Sequence, residues 1–206
     1  MKLVAFVALV AAAAVLAAVY GALHDQISFT VAPEYFTLFK FRQFALSGVG
    51  EMPPRLGVAV VGILATWWVG LFAGVLIAGA GLFHRTAPAM VRSTLRAYGV
   101  LAVVAFAAGL VGLAYGWVIA GGAAAPHFAE WWRPEGLTAP RRFFAVGSMH
   151  NASYLGGAVG VLIAVTYQVR AARRATRAAQ PLRPQPAACS AARATSASSH
   201  QRDSVP

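Results

Sequence analysis

The stretch LVAFVALVAAAAVLAAVYGAL, residues 3–23, carries no charged side chain. As an α-helix rising about 1.5 Å per residue, it is long enough to cross a hydrocarbon core of about 30 Å. Lys2 in front of it invites comparison with a signal peptide. The run exceeds the usual apolar core of roughly 7–15 residues, and Val19-Tyr20-Gly21-Ala22 makes a poor cleavage site, so a retained membrane helix is expected.

Three further uncharged runs follow, giving expected spans at 3–23, 56–83, 97–120 and 143–169. The chain of 206 residues is 59% hydrophobic and 11% charged. A soluble domain carries about a quarter charged residues, so a soluble fold is excluded. The expected fold is all-α, a bundle of four transmembrane helices over residues 1–169. The formal net charge of +11 is read as a membrane signature, basic residues facing anionic lipid, and not as a nucleic-acid surface. No aromatic-basic nucleic-acid motif is present. The one cysteine, Cys189, excludes an internal disulfide and any multi-cysteine metal site. Neither a phosphate loop, a redox-cysteine motif nor a nucleophile–base–orienter triad is recognisable in the sequence.

Composition explains least of the stretch that follows the first run, HDQISFTVAPEYFTLFKFRQF, residues 24–44. Within the first outer loop, 24–55, Ile27, Phe29 and Val31 alternate with Ser28 and Thr30, which predicts a short extended piece. Pro33 suits the first position of a helix, with Glu34 beside it where the helix dipole favours a carboxylate. That helix is expected over about 33–46, with Gly48 as its stop. Its aromatics fall all round it, interleaved with Lys40 and Arg42. This suits a short helix lying in the membrane interface, either as a surface anchor or as a lid.

Basic residues set the expected orientation. Lys2, Arg85, Arg92, Arg96 and the arginines of the tail share one side; Lys40, Arg42, Arg55, Arg133, Arg141 and Arg142 share the other. The positive-inside rule then places both termini in the cytoplasm. Arg170, Arg173, Arg174 and Arg177 would continue the last helix into a basic turn against anionic lipid. The rest of 170–206 is proline, alanine, serine and arginine without periodicity, a composition expected to be disordered.

An internal repeat relates the second and fourth runs. Pro54-Arg55 recurs as Pro140-Arg141, Ala59-Val60 as Ala145-Val146, Gly70 as Gly156, and GVLIA at 74–78 as GVLIA at 160–164, all at one spacing. Tyr20-Gly21 and Tyr115-Gly116 echo one another in the first and third runs. The implied architecture is two tandem helical hairpins. Gly70 with Gly74, and Gly156 with Gly160, would let helices approach closely. The repeat breaks where Leu64-Ala65 corresponds to His150-Asn151, and Trp67-Trp68 to Ser153-Tyr154.

That break marks a polar constellation. His150, Ser153, Tyr154, Gly157 and Gly160 share one face of the fourth helix, with Asn151 at its edge. An ionisable residue inside a span is a functional hypothesis by default. The alternative is a neutral histidine bonded to a helix carbonyl or to Tyr154. Two functional forms stand open. His24 and His150 with Asp25 or Glu34 offer imidazole and carboxylate donors that suit zinc, iron or manganese. Otherwise His24, Asp25, Gln26, Glu34, His150, Asn151, Ser153 and Tyr154 line a proton-linked or small-ligand pocket under the aromatic helix. His84 and His127 are given no role, and the sequon at Asn151 lies within a span.

His24-Asp25-Gln26, Pro33-Glu34-Tyr35-Phe36-Thr37, Phe39-Lys40-Phe41 and Gln43-Phe44, with Trp67-Trp68-Val69-Gly70 and His150-Asn151-Ala152-Ser153-Tyr154-Leu155-Gly156-Gly157, resemble an uncharacterised family of small bacterial multi-pass membrane proteins. The resemblance covers the four runs and not the tail. Ala32 and Leu38 depart from the family pattern, which has a serine and a basic residue there. It implies a bacterial membrane location and supplies no activity or cofactor. The expected protein is therefore a bacterial inner-membrane protein with an outer polar site for an ion or small ligand. The rivals are a metalloenzyme or redox subunit using His24 and His150, and an assembly subunit docking through the aromatic helix. A homo-oligomer or a partner subunit is compatible with each.

Overall fold

The computed structural model describes residues 1–46, 53–119 and 134–178. Four long helices run α1 (Lys2–Val31), α3 (Pro54–Gly81), α4 (Ala87–Ile119) and α5 (Pro140–Ala178). Between α1 and α3 the chain forms a π-helical segment, Tyr35–Lys40, that continues as the single turn α2, Phe41–Gln43. The four long helices, of 30, 28, 33 and 39 residues, are each long and apolar enough to cross a membrane. They belong to one compact unit, Met1–Ala175; of the second, Thr176–Pro206, the described residues are the end of α5. The expected stop at Gly48, the second outer loop around Glu130–Arg133, His127 and the tail with Cys189 lie outside the described residues.

Helix limits follow from the ends of the chain's own signals. Pro54 opens α3 in the first turn, where its missing N–H costs nothing. Thr86 caps α4, its carbonyl accepting from the Met90 N–H at 3.1 Å. The first helix differs from expectation. Residues 27–31 are helical, not extended, so His24, Asp25 and Gln26 sit inside α1. The Ser28 hydroxyl donates to the His24 carbonyl at 3.1 Å, and that of Thr30 to the Gln26 carbonyl at 2.9 Å. These bonds let polar side chains ride on a helix instead of competing with it. Gln26 also donates to the Arg55 carbonyl at 2.8 Å and accepts from its guanidinium at 3.1 Å, tying α1 to the start of α3. The helix ends at Ala32 because Pro33 disfavours helical geometry in the residue before it. Helix α4 likewise begins earlier than expected, and α5 runs beyond Val169 through Arg170, Arg173, Arg174 and Arg177.

The bundle is small inside and large outside. On α3 the buried residues include Gly57, Gly62, Gly70, Ala73, Gly74 and Ala78, whereas Trp67, Trp68, Phe72 and Leu76 are exposed. A water-soluble bundle would invert this. In lipid, which is as apolar as leucine, small residues win the interior because they let backbones approach. Two pairs form in this way. Helix α1 meets α3 at Gly21 with Gly62, Ala17 with Thr66, and Ala13 with Gly70. Helix α4 meets α5 at Gly116 with Ser148, Gly112 with Ala152, and Ala108 with Gly156. Each contact of the second pair falls at the repeat position of one in the first. The two tandem hairpins are thus related in contact register as well as in sequence. Gly74 packs on Ala13, and Gly160 on Leu101.

The end of the bundle that carries the N-terminus is sealed by a polar network absent from the sequence expectations. Gln168 is fully buried. Its carbonyl oxygen accepts from Ser93 at 2.5 Å and lies 3.0 Å from His84 Nε2; its amide donates to Thr94 at 2.6 Å. Every arm of the amide is engaged across α4, α5 and the α3–α4 turn. A buried polar network satisfied in this manner fixes geometry. The Tyr98 hydroxyl adds a bond to the Leu9 carbonyl at 3.0 Å.

Candidate metal centre

The other end of the bundle gathers the residues singled out by the failed repeat. Extending α1 past Leu23 carries His24 and Asp25 into the interior, at 5% and 4% exposure. Helix α5 brings His150 and Ser153 to the same level, at 4% and 6%. His24 Nδ1 lies 3.2 Å from Asp25 Oδ1, and His150 Nε2 lies 3.8 Å from that oxygen. The two imidazoles meet edge to face, with centroids 4.9 Å apart. His24 Nε2 is 3.1 Å from Ser153 Oγ. One donor atom each from His24, Asp25 and His150 falls within 4.8 Å of the others.

The chemistry of this set follows from what each atom still lacks. His150 Nε2 is shut off from solvent and, among the described residues, has no hydrogen-bond partner. The Tyr20 hydroxyl, one turn before His24, likewise makes no hydrogen bond of good geometry among the described residues, although Ser153 is near enough to act on it as a hydrogen-bonding neighbour and Asp25 as a charge. Leaving such groups unpaired costs about 1–3 kcal/mol each, and a bound water, ion or ligand would relieve that cost. Metal-bound nitrogen and oxygen atoms at about 2.0–2.1 Å in a tetrahedral array are roughly 3.3 Å apart. The observed separations of 3.2 and 3.8 Å bracket that spacing. With His24 Nδ1 on a metal, Nε2 carries the proton and donates to Ser153, an outer partner that fixes the ring.

The same atoms trace a serine–histidine–aspartate chain, a constellation not recognised in the sequence because its members come from α1 and α5. Nucleophilic catalysis requires an approachable serine. Ser153 Oγ is turned against Gly109 of α4, where even a methyl group would collide with it. Ser153 is buried at 6% exposure, and its side chain bonds His24 at 3.1 Å, a contact that holds the ring.

The π-helical segment closes the site. Tyr35 stacks on His150 with centroids 5.0 Å apart and planes at 25°, and Phe36 approaches its edge at 6.3 Å. Tyr35 and Phe36 are buried at 2% and 0% exposure. Phe36 and Tyr35 also pack with Val58, Val61, Phe143 and Val146. The segment is thus a lid pressed into the bundle. Its ring packing answers why aromatics fall all round it. Lys40, 7% exposed, donates to Gln43 Oε1 at 3.0 Å and sits over the rings of Phe39, Tyr35 and Phe44 at 5.3–5.9 Å. Burial lowers its ammonium from the ordinary lysine value, and the charge of Asp25 opposes the shift. Burial also pushes the Tyr35 phenol up, keeping it neutral.

The remaining expected residues lie apart. Glu34 does not face the histidines. Its carboxylate accepts from the Thr138 hydroxyl at 2.5 Å, the Thr138 N–H at 3.1 Å and the Ala139 N–H at 2.9 Å, capping the start of α5. Gln26 serves Arg55, and Asn151 is exposed. Tyr154 is 54% exposed, because its position at the edge of the inward face lets the long side chain swing outward; its ring still comes within 6.3 Å of His150. Gly157 has open space where a side chain would stand. Tyr20 and Lys40 were not among the expected site residues. The helical spacing from Tyr20 to His24 was the available signal for the first; nothing local signals the second.

The Glu34 cap makes the lid acid-sensitive. The Thr138 hydroxyl bond, with the Ala139 and Thr138 N–H groups, holds the carboxyl below its ordinary value against the opposing effect of desolvation. A depressed carboxylate stabilises above its unfolded pKa, and the contribution is lost as pH falls through the folded value. Hydrogen-exchange protection of residues 35–40 is expected to hold from about pH 8 to about pH 5 and to fall below about pH 4. Glu34→Gln should lower protection at neutral pH and flatten the profile.

Comparisons with protein-family models, with curated proteins and with solved structures return no match.

Proposed function

We propose that this protein is a metalloprotein of the bacterial inner membrane whose His24, Asp25 and His150 hold a divalent transition metal beneath the aromatic lid. Two imidazoles and one carboxylate suit iron, zinc or manganese. The observation that carries the reading is His150 Nε2, buried and without a hydrogen bond among the described residues, 3.8 Å from Asp25 Oδ1 beside His24. Both termini are cytoplasmic in this reading, on the distribution of basic residues, which puts the metal near the outer face. The bacterial setting rests on the family resemblance.

Metal bound there would supply Lewis acidity or a redox centre, according to its identity. The chain's own residues position it: Ser153 orients His24, Tyr35 covers His150, and the lid excludes water. Docking of a partner through the aromatic helix draws less support, since Tyr35 and Phe36 are already spent on the bundle itself.

Elemental analysis of detergent-purified protein, reconstituted with iron, zinc or manganese, tests the reading. About one equivalent of metal is expected in the wild type and near none in a His24→Ala/His150→Ala variant of equal helicity. A wild type that takes up no metal, or a double variant that retains it, overturns the proposal.

A further inference from the structure

Charge balance says what else the loaded site holds. Among the described residues the acids are Asp25, Glu34 and Glu135. Glu34 is engaged at the start of α5, and Glu135 is exposed. Within the cluster, then, the single negative charge of Asp25 stands against the single positive charge of Lys40. Lys40 Nζ lies 5.8 Å from the centre of the Tyr35 ring, which in turn stacks on His150 at 5.0 Å, so its charge is close to the cluster. Without metal, the account is even. A divalent ion bound by two neutral imidazoles and Asp25 leaves two positive charges in excess, in a place closed to water. Uncompensated buried charge is strongly unfavourable.

The second observation is independent of that account. His150 Nε2 finds its partner in the metal, but the Tyr20 hydroxyl does not. Among the described residues it makes no hydrogen bond of good geometry, and Ser153, close enough to act on it, is already engaged with His24 at 3.1 Å. Lys40 has used one of its three donors, on Gln43. A group that would satisfy Tyr20 must be an acceptor, and one that would offset the excess charge must be an anion.

We infer that the metal-loaded site takes a small carboxylate-type anion as an additional metal ligand, accepting a hydrogen bond from Tyr20 and balanced electrostatically by Lys40. The inference rests on the metal reading of His24, Asp25 and His150. It names the ligand class of that site: a small carboxylate-type anion such as formate or bicarbonate, which offsets one of the two excess charges. The ring of Tyr20 stacks on His24 at 5.7 Å, which holds the hydroxyl at the edge of the cluster.

Cobalt(II) supplies a visible-absorption probe of the coordination shell, and sodium formate the anion. In detergent-purified, cobalt-loaded protein, formate is expected to shift the cobalt bands with saturation. Tyr20→Phe should bind cobalt at the same stoichiometry and weaken formate about tenfold or more, the usual scale for a hydrogen bond to a charged group. Lys40→Met should also weaken formate while keeping cobalt. A wild type that binds cobalt but shows no band shift overturns the anion inference and leaves the metal site standing. An equal formate affinity in wild type and both variants overturns the assignment to Tyr20 and Lys40. A wild type that binds no cobalt brings down the metal reading and this inference together. If Lys40→Met fails to fold, Tyr20→Phe, which removes one oxygen atom, decides alone.

Discussion

Gly62→Ala is expected to abolish the folded bundle, whereas Gly79→Ala, on the same helix, is expected to leave it intact. The Gly62 Cβ would fall on the carbonyl group of Gly21 and against the Ala22 nitrogen, closer than real contacts allow. Those atoms are backbone of α1, and they cannot turn aside as a side chain would. Accommodating one methyl group therefore means moving α1 off α3 along its length, which also strains Ala17 on Thr66 and Ala13 on Gly70. Overpacking a tight core costs about 1–3 kcal/mol even where side chains can adjust, and the cost here should exceed that range. At Gly79 a methyl group meets nothing within 4 Å. There the gain in helix propensity, about 0.5–1 kcal/mol, should show as equal or slightly higher stability. Thermal unfolding of both variants in one detergent, followed by helicity and by size-exclusion profile, checks the pair. Equal behaviour of the two would mean that the α1–α3 contact does not hold the bundle together.

The sequence made this contrast partly legible. Four uncharged runs announce four helices, since a helix satisfies its backbone within a single segment across lipid. The repeat announces two hairpins, and the structure carries it into matched contacts at Gly62 and Ser148, Thr66 and Ala152, Gly70 and Gly156. Local pattern misleads at the helix ends. Residues 27–31 alternate like a strand, yet Ser28 and Thr30 bond back to their own helix and keep it winding. A period-two signal over five residues is too short to outweigh a helix already nucleated by more than twenty residues before it. The site was legible through its histidines, because a polar residue inside an apolar run is costly without a partner. Its depth was not. Burial of Lys40 among Phe39, Tyr35 and Phe44 depends on how the lid folds back, and the same composition would serve a helix lying at the surface. The Gln168 network is not legible in the sequence for a related reason. One amide in an apolar run names no partners, and those partners come from α4 and from His84 in a turn.

Within the site, the larger expected effect on metal binding belongs to Asp25 and the smaller to Ser153, and their ratio tests which groups touch the ion. Asp25 Oδ1 is the atom shared by the two imidazoles, at 3.2 and 3.8 Å. Asp25→Asn keeps the shape but removes the one negative charge that the described residues give the cluster. With Lys40 unchanged, the apo site becomes positive before any cation arrives. Loss of a direct ligand and loss of attraction act in the same direction, and cobalt affinity is expected to fall by more than about 100-fold, beyond the effect of an outer partner. Ser153→Ala leaves all three donors in place. It frees His24 Nε2, 3.1 Å from the missing oxygen, so the ring loses its orientation and proton anchor. Outer partners of metal-bound histidines contribute about 10- to 100-fold, and a loss within that range is expected. Competition titration against a chromophoric chelator measures both. If Ser153→Ala proves as damaging as Asp25→Asn, the hydroxyl is itself a ligand, and His24 must then present Nε2, not Nδ1, to the ion. If Asp25→Asn binds cobalt as the wild type does, the carboxylate lies outside the coordination shell. The bond between His24 Nδ1 and Asp25 would then serve only to orient the ring.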